Sequence, residues 1–208
     1  MNLKKIFIFF IIAISLVISG CAERKAKQNY KTAEELFKGG NYKEAASKYA
    51  EVIKFDKDIP EVEDSYFKLG VIYAKYLEDP TSSVFYLEEL IKKYPKSQRV
   101  LEARKEVGVT YLYKLNKPDK ALEQFETIEK ENPKVSYLDE VVFLKGKSYI
   151  ALNKLDMAEK SYENFSTIFP NSKYLEEVEY QRCFLKLNLG KNKEAIQYYE
   201  NNHGNINE

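Results

Sequence analysis

Histidine, cysteine, glycine and proline are scarce in this chain, and net charge is almost absent. The single histidine, His203, lies in a polar C-terminal stretch. No His/Cys/carboxylate cluster has metal-ligand spacing, and no Gly-rich phosphate loop occurs. Glu pairs such as Glu88-Glu89 and Glu176-Glu177 are frequent, but adjacent residues on a helix do not face one another. The reading is a non-enzyme with no catalytic residues, no metal and no cofactor. Eight Gly and six Pro in 208 residues argue against a loop-rich or β fold and favour helices. A net charge of +1 leaves no electrostatic footprint for nucleic acid and no strong attraction to anionic lipid, and no small-molecule substrate is evident. Charges are interspersed, as in Lys43-Glu44, which marks solvated helix faces. The 44% of hydrophobic residues suffices for a folded domain of ordinary size.

The only long apolar run is at the start. Lys4 and Lys5 precede Ile6 to Ile18, 13 residues without a charge. That suits the apolar region of a signal peptide and is short for a membrane span. The run closes with Ile18-Ser19-Gly20-Cys21, which resembles the bacterial lipobox. The resemblance implies a diacylglycerol on Cys21, cleavage before it, and stable attachment to a membrane of the cell envelope. Ala22 follows where retention at the inner membrane is associated with Asp, which points to an outer-membrane, periplasm-facing location; display by a Gram-positive cell stays open. Lipidation would leave Cys183 without a disulfide partner, and Cys183 reads as a packing residue. From Cys21 onward 31 basic residues face 32 acidic ones.

What the rest of the chain has is a period. Ala45, Ser83, Ala121, Ala158 and Ala195 are spaced 38, 38, 37 and 37 apart, and Ala33, Gly70, Gly108, Gly146 and Cys183 are spaced 37, 38, 38 and 37. Self-similarity at such a period marks stacked supersecondary repeats. Apolar stripes at helical spacing, such as Leu122, Phe125 and Ile128, accompany it. Asp79-Pro80, Ser97 and Ser172 mark helix starts; Pro95, Pro133 and Pro170 end helices. Helices are expected at 26–39, 42–56, 61–77, 80–93, 98–115, 118–131, 137–152, 155–168, 173–188 and 192–201.

Tyr66, Leu69, Gly70 and Tyr73, followed in later units by Ala121, Phe125 and Pro133 and by Ala158, Tyr162 and Pro170, resemble the tetratricopeptide (TPR) pattern. The resemblance implies an all-α, TPR-like solenoid, an α-α superhelix of about five helix-hairpin repeats. The division is 1–20 signal peptide, 21–25 lipidated Cys and short tether, 26–201 solenoid and 202–208 flexible tail. A tether of about six extended residues, at roughly 3.5 Å each, would hold the repeats within about 20 Å of the membrane.

In TPR proteins the inner face is lined by the first helix of each repeat. Carried onto this chain, those positions give a partner-binding groove of Tyr30, Phe37, Phe67, Val71, Val109, Tyr113, Phe143, Ile150, Tyr180 and Phe184, with Leu112 and Leu187 beside them and Glu34, Lys38, Lys75, Lys105 and Lys147 interspersed. Aromatics repeated along a groove suit an extended peptide or an amphipathic helix; aromatic stripes at helical spacing are also what helix-helix packing uses. The layout of lipobox, short tether and five repeats, with the Tyr94 to Ser97 junction, is similar to the BamD-like lipoproteins of outer-membrane β-barrel assembly. That resemblance implies a membrane-anchored scaffold for envelope assembly components. The junction also occurs in TPR proteins that work with the Tol-Pal system in cell division, and a secretion or pilus machine is a further alternative.

Overall fold

The computed structural model describes residues 3–55 and 59–203, with side chains from 20–55 and 59–200. Among the described residues there are eleven helices and no strand: α1 (Leu3–Lys38), α2 (Tyr42–Ile53), α3 (Pro60–Lys75), α4 (Pro80–Lys93), α5 (Val100–Tyr113), α6 (Pro118–Glu131), α7 (Leu138–Ala151), α8 (Leu155–Tyr162), α9 (Phe165–Ile168), α10 (Leu175–Asn188) and α11 (Asn192–His203). The fold class is the expected all-α array of TPR-like hairpins. It divides into two compact units, residues 1–103 and 104–208. In the first, α1 packs on α2, α2 on α3 and α3 on α4; in the second, α6 packs on α7, α7 on α8, and α10 on both α8 and α11.

The two small-residue series hold the hairpins together. Ala33, Ala45, Ser83, Ala121 and Ala158 are fully buried. Gly108 faces the fully buried Phe125 so closely that a Cβ there would lie 2.6 Å from the ring. Gly70 meets Leu87, and Gly146 meets Tyr162, inside 3.0 Å in the same way. The Ala45 series donates its backbone N–H to the carbonyl that opens its own helix, as in Ala45 to Asn41 O (2.9 Å), Ala121 to Lys117 O (3.1 Å) and Ala195 to Lys191 O (2.9 Å). Cys183 takes the glycine slot of the last hairpin but is only half-buried, less enclosed than a packing cysteine was expected to be. Burial pushes its thiol above the ordinary range, which disfavours the reactive thiolate.

Each hairpin turns through one left-handed residue. Gly40 (φ 77°), Glu78 (φ 51°), Asn116 (φ 48°), Asn153 (φ 55°) and Gly190 (φ 74°) recur at the repeat period. Glycine and asparagine suit this region and glutamate does not. Asp79 caps α4 through Ser82, accepting from its backbone N (3.0 Å) and hydroxyl (2.6 Å). Ser97 and Ser172 accept from Arg99 N (3.0 Å) and Tyr174 N (3.1 Å), so they tighten the turn ahead of α5 and α10 and do not cap the first helical residue.

Two expectations change. Residues 155–168 form two helices, because the chain leaves the helix at Glu163-Asn164; Asn164 adopts φ −109°, ψ 16° before α9 resumes. And α1 runs unbroken from Leu3, so Cys21 to Lys25 are helical and not extended. Good helix formers occupy that stretch, and Glu23 pairs with Lys27 at 2.7 Å one turn on. The side chains of residues 1–19, including most of the expected signal peptide, lie outside the described residues; of the expected tail 202–208, Asn202 and His203 continue α11 and 204–208 lie outside the described residues.

Candidate functional site

The ten groove positions fall into three degrees of exposure. Phe67 and Phe143 are buried, Tyr30, Phe37, Val71, Val109 and Ile150 are half-buried, and Tyr113, Tyr180 and Phe184 are exposed.

In the first unit the inner-face residues are engaged in joining hairpins. Tyr30 Oη donates to Asp64 Oδ2 at 2.6 Å, Asp64 pairs with Arg99, and the Arg99 guanidinium sits 4.9 Å above the Phe67 ring. Burial, then Asp64, pushes the Tyr30 phenol up. Phe37 meets Tyr42 and Tyr76 edge-on at 5.6 and 5.8 Å and carries Lys68 at 5.0 Å over its face. Lys68 also pairs with Glu34 at 3.3 Å, which accepts from Tyr49. Burial alone would raise the Glu34 carboxyl; Tyr49 and Lys68 outweigh it and hold the group below the ordinary carboxylate range.

In the second unit Lys105 binds Glu140 at 2.9 Å and lies 4.8 Å over Tyr137. Phe143 stacks on Tyr174 at 4.7 Å with 15° between ring planes. Lys147 reaches Glu177 at 3.2 Å. Beyond this packing, α10 presents Tyr180, Phe184 and Leu187, which are 66%, 47% and 51% exposed, and α5 presents Tyr113 at 54%. Partial burial, then Glu177 and Tyr174, pushes the Tyr113 phenol up.

One rule covers the positions three before the small residue. Tyr30 is covered by Asp64, Phe67 by Arg99, Lys105 by Glu140 and Tyr137, and Phe143 by Tyr174. Each cover comes from the following hairpin. Arg99, Asp64 and Tyr174 were not anticipated; their signal in the sequence is only a recurring offset of about 30 residues from the groove position.

A second polar feature was also missed. Arg182 and Lys186 of α10 are buried to 8% and 9% exposure. They converge on Glu159 at 3.9 and 3.2 Å, with Lys186 also 3.1 Å from Glu194 and Arg182 donating to Tyr198 Oη at 3.0 Å. Burial would lower the Lys186 amine, but its hydrogen bonds to Glu194 and Glu159 leave it raised. Among the described residues no group of three or more His, Cys, Asp or Glu is placed to hold a metal ion, and no helix is long and apolar enough to cross a membrane.

Residues 64–97 and 139–172 each match a family model described as the tetratricopeptide repeat. No curated protein sequence matches the chain. Among solved structures, one of MamA from Desulfovibrio magneticus RS-1 matches with a TM-score of 0.68 at 18% identity, covering 85% of this chain and 92% of that one. A further crystal structure of MamA gives 0.71 at 17% identity, with 86% and 90% covered. The apo form of RapI gives 0.70 at 17% identity, covering 85% of this chain and 52% of that one. The repeats and the fold are thus those of tetratricopeptide proteins.

Proposed function

We propose that this chain is a non-enzymatic TPR scaffold whose inner face in the second unit binds a protein partner as a peptide or helix. The observation that carries this is the exposure of Tyr113, Tyr180, Phe184 and Leu187 beside residues of the same face that are consumed by packing. Large aromatics left in solvent around an ion pair have the composition of an interface hot spot. The lipobox-like Ile18 to Cys21 supports attachment to a membrane of the cell envelope. The BamD-like layout favours outer-membrane β-barrel assembly, and the Tol-Pal or secretion alternatives share the same anchored-scaffold design.

The test is photo-cross-linking of the full-length chain in its own envelope from positions 113, 180 and 184, with mass spectrometry of the captured chains. Capture of an outer-membrane barrel-inserting protein is the expected result. Capture of Tol-Pal or secretin components would transfer the scaffold to that machine. No cross-link from any of these three positions would refute the site. Loss of membrane attachment in Cys21→Ala tests the anchor separately.

A further inference from the structure

We propose that the cleft lined by α7, α8 and α9 seats an aromatic side chain of a partner segment, with an acidic residue next to it in that segment. This site is separate from the inner face and does not rest on that reading. The cleft has a volume of about 410 Å³ and is lined by Leu138, Val142, Tyr149, Met157, Phe165 and Ile168, with Ser161 and Asn164 at the helix break.

The repeats themselves say what is missing there. In the second hairpin the tyrosine three after the glycine, Tyr73, stacks on the residue three after the small residue of the next helix, Tyr86, at 5.5 Å and 12° between planes. In the third hairpin Gln124 holds the second position and Lys120 lies 5.4 Å over the Tyr111 ring instead, whereas the fourth keeps the first ring as Tyr149 but has Ser161 and Met157 at those two positions. A ring-sized volume is therefore open beside Tyr149, and the Ser161 hydroxyl is buried without a hydrogen-bond partner among the described residues. Two further positions change in the same direction. Where the second and third hairpins carry Ser82 and Lys120, the fourth has Met157, 47% exposed; where those two carry Lys93 and Glu131, it has Ile168, 61% exposed. The first hairpin has Phe55 at the Ile168 position, so Met157 is the apolar substitution particular to this cleft, and Met is the residue that adapts best to an incoming side chain.

Charge selects the flank of the occupant. Lys145 is neutralised by Glu129 at 2.6 Å, whereas Lys160 lines the same cleft, is exposed and makes no ion pair among the described residues. A carboxylate beside the aromatic anchor would pair with it. The volume falls in the range of pockets that enclose small groups, and an offset ring stack adds to the burial of the anchor.

The experiment uses the full-length chain labelled at methionine methyls and titrated with the peptide acetyl-Gly-Asp-Tyr-Gly-amide. The Met157 methyl should shift upfield with ring current and saturate in the millimolar range. The Leu-for-Tyr peptide should not produce this shift, and the Lys-for-Asp peptide should bind at least threefold more weakly. Ser161→Tyr, which supplies the missing ring, should weaken binding at least tenfold while melting no lower than the parent. Ile168→Lys, at an exposed rim position, should weaken binding threefold with folding intact, and serves if Ser161→Tyr does not fold. No Met157 shift, equal binding by the Leu peptide, or unchanged binding in both variants would overturn the proposal. Binding of p-cresol as tight as the peptide, with no effect of the neighbouring carboxylate, would assign the cleft to a small aromatic molecule and overturn the partner segment.

Discussion

Replacing Gly108 by alanine adds one carbon at the tightest kind of contact this fold contains. The new Cβ would stand 2.6 Å from Phe125 Cε1, 2.7 Å from Cζ and 3.2 Å from Cδ1. Real Cβ atoms do not approach carbon below 3.0 Å, so either the ring or the helix must move. Phe125 is fully buried and has no solvent-side rotamer to adopt. Overpacking of this size costs about 1–3 kcal/mol, while alanine returns up to about 1 kcal/mol of helix propensity. With that return, a net loss of up to about 2 kcal/mol follows, equivalent to a melting shift of up to about 8 °C for a chain of this length. Urea denaturation followed by circular dichroism reads it. Phe125→Ala removes the ring atoms that a Cβ at position 108 would strike, so the double variant should show a favourable coupling of at least about 0.5 kcal/mol. Gly39→Ala is the control: its Cβ would meet nothing nearer than 3.4 Å, so it should be neutral. Gly108→Ala melting above the parent, or no coupling to Phe125→Ala, would refute the assigned register of α5 on α6.

The other predictions concern strain and charge. Glu78 holds the left-handed turn position that Gly or Asn fills in the other hairpins; Glu78→Gly should stabilise by about 0.5–1 kcal/mol, seen as a higher urea midpoint at unchanged slope. Ser83 is fully buried with its hydroxyl unpaired among the described residues, where the other hairpins have Ala; Ser83→Ala should add about 1 kcal/mol. Glu159→Gln would remove the carboxylate shared by the buried Arg182 and Lys186 and should cost about 3 kcal/mol or more, with loss of protease resistance in α8 to α11. The Tyr149 phenol is pushed up to about 12 by burial and its hydrogen bond to Glu126. Its raised folded-state value means this stabilisation is complete below about pH 10 and lost as pH climbs toward 12. Tyr149→Phe should therefore flatten that part of the alkaline stability curve, and an unchanged curve would refute the assignment.

Some of this fold was legible because only one kind of residue survives at certain places. The glycine series marks positions where any Cβ would collide with Leu87, Phe125 or Tyr162. The Pro95 and Pro133 boundaries coincide with helices that end at Lys93 and Glu131, since the residue before proline is driven out of the helical region. The break at Glu163-Asn164 has no such marker: neither residue forbids a helix, and the chain turns there because Phe165 and Tyr162 must both reach the interior. The start of α1 was misplaced for a different reason. The boundary at residue 26 came from the lipobox, which concerns processing, and nothing in Cys21 to Lys25 stops a helix. The left-handed turn series escaped notice because Glu78 interrupts an otherwise plain run of Gly and Asn.

The candidate site shows why a face can be legible while its depth is not. Tyr30, Phe67, Phe143 and Tyr180 occupy one position of the repeat, and helical geometry puts all four on the same side. Their fates diverge because exposure at that position is decided about 30 residues downstream, by what the following hairpin offers. Asp64, Arg99 and Tyr174 cover the first three. Tyr180 has no such cover among the described residues and stands 66% exposed. A substitution at this position therefore reads out two different properties along one chain. Phe67→Ser and Phe143→Ser should lower stability by about 3–5 kcal/mol, as large buried aromatics do when truncated. Tyr180→Ser should leave the urea midpoint within about 0.5 kcal/mol of the parent and, if the inner face of the second unit is the binding surface, weaken partner capture alone. Equal destabilisation by all three would mean that Tyr180 is packed in solution against something the repeats themselves provide.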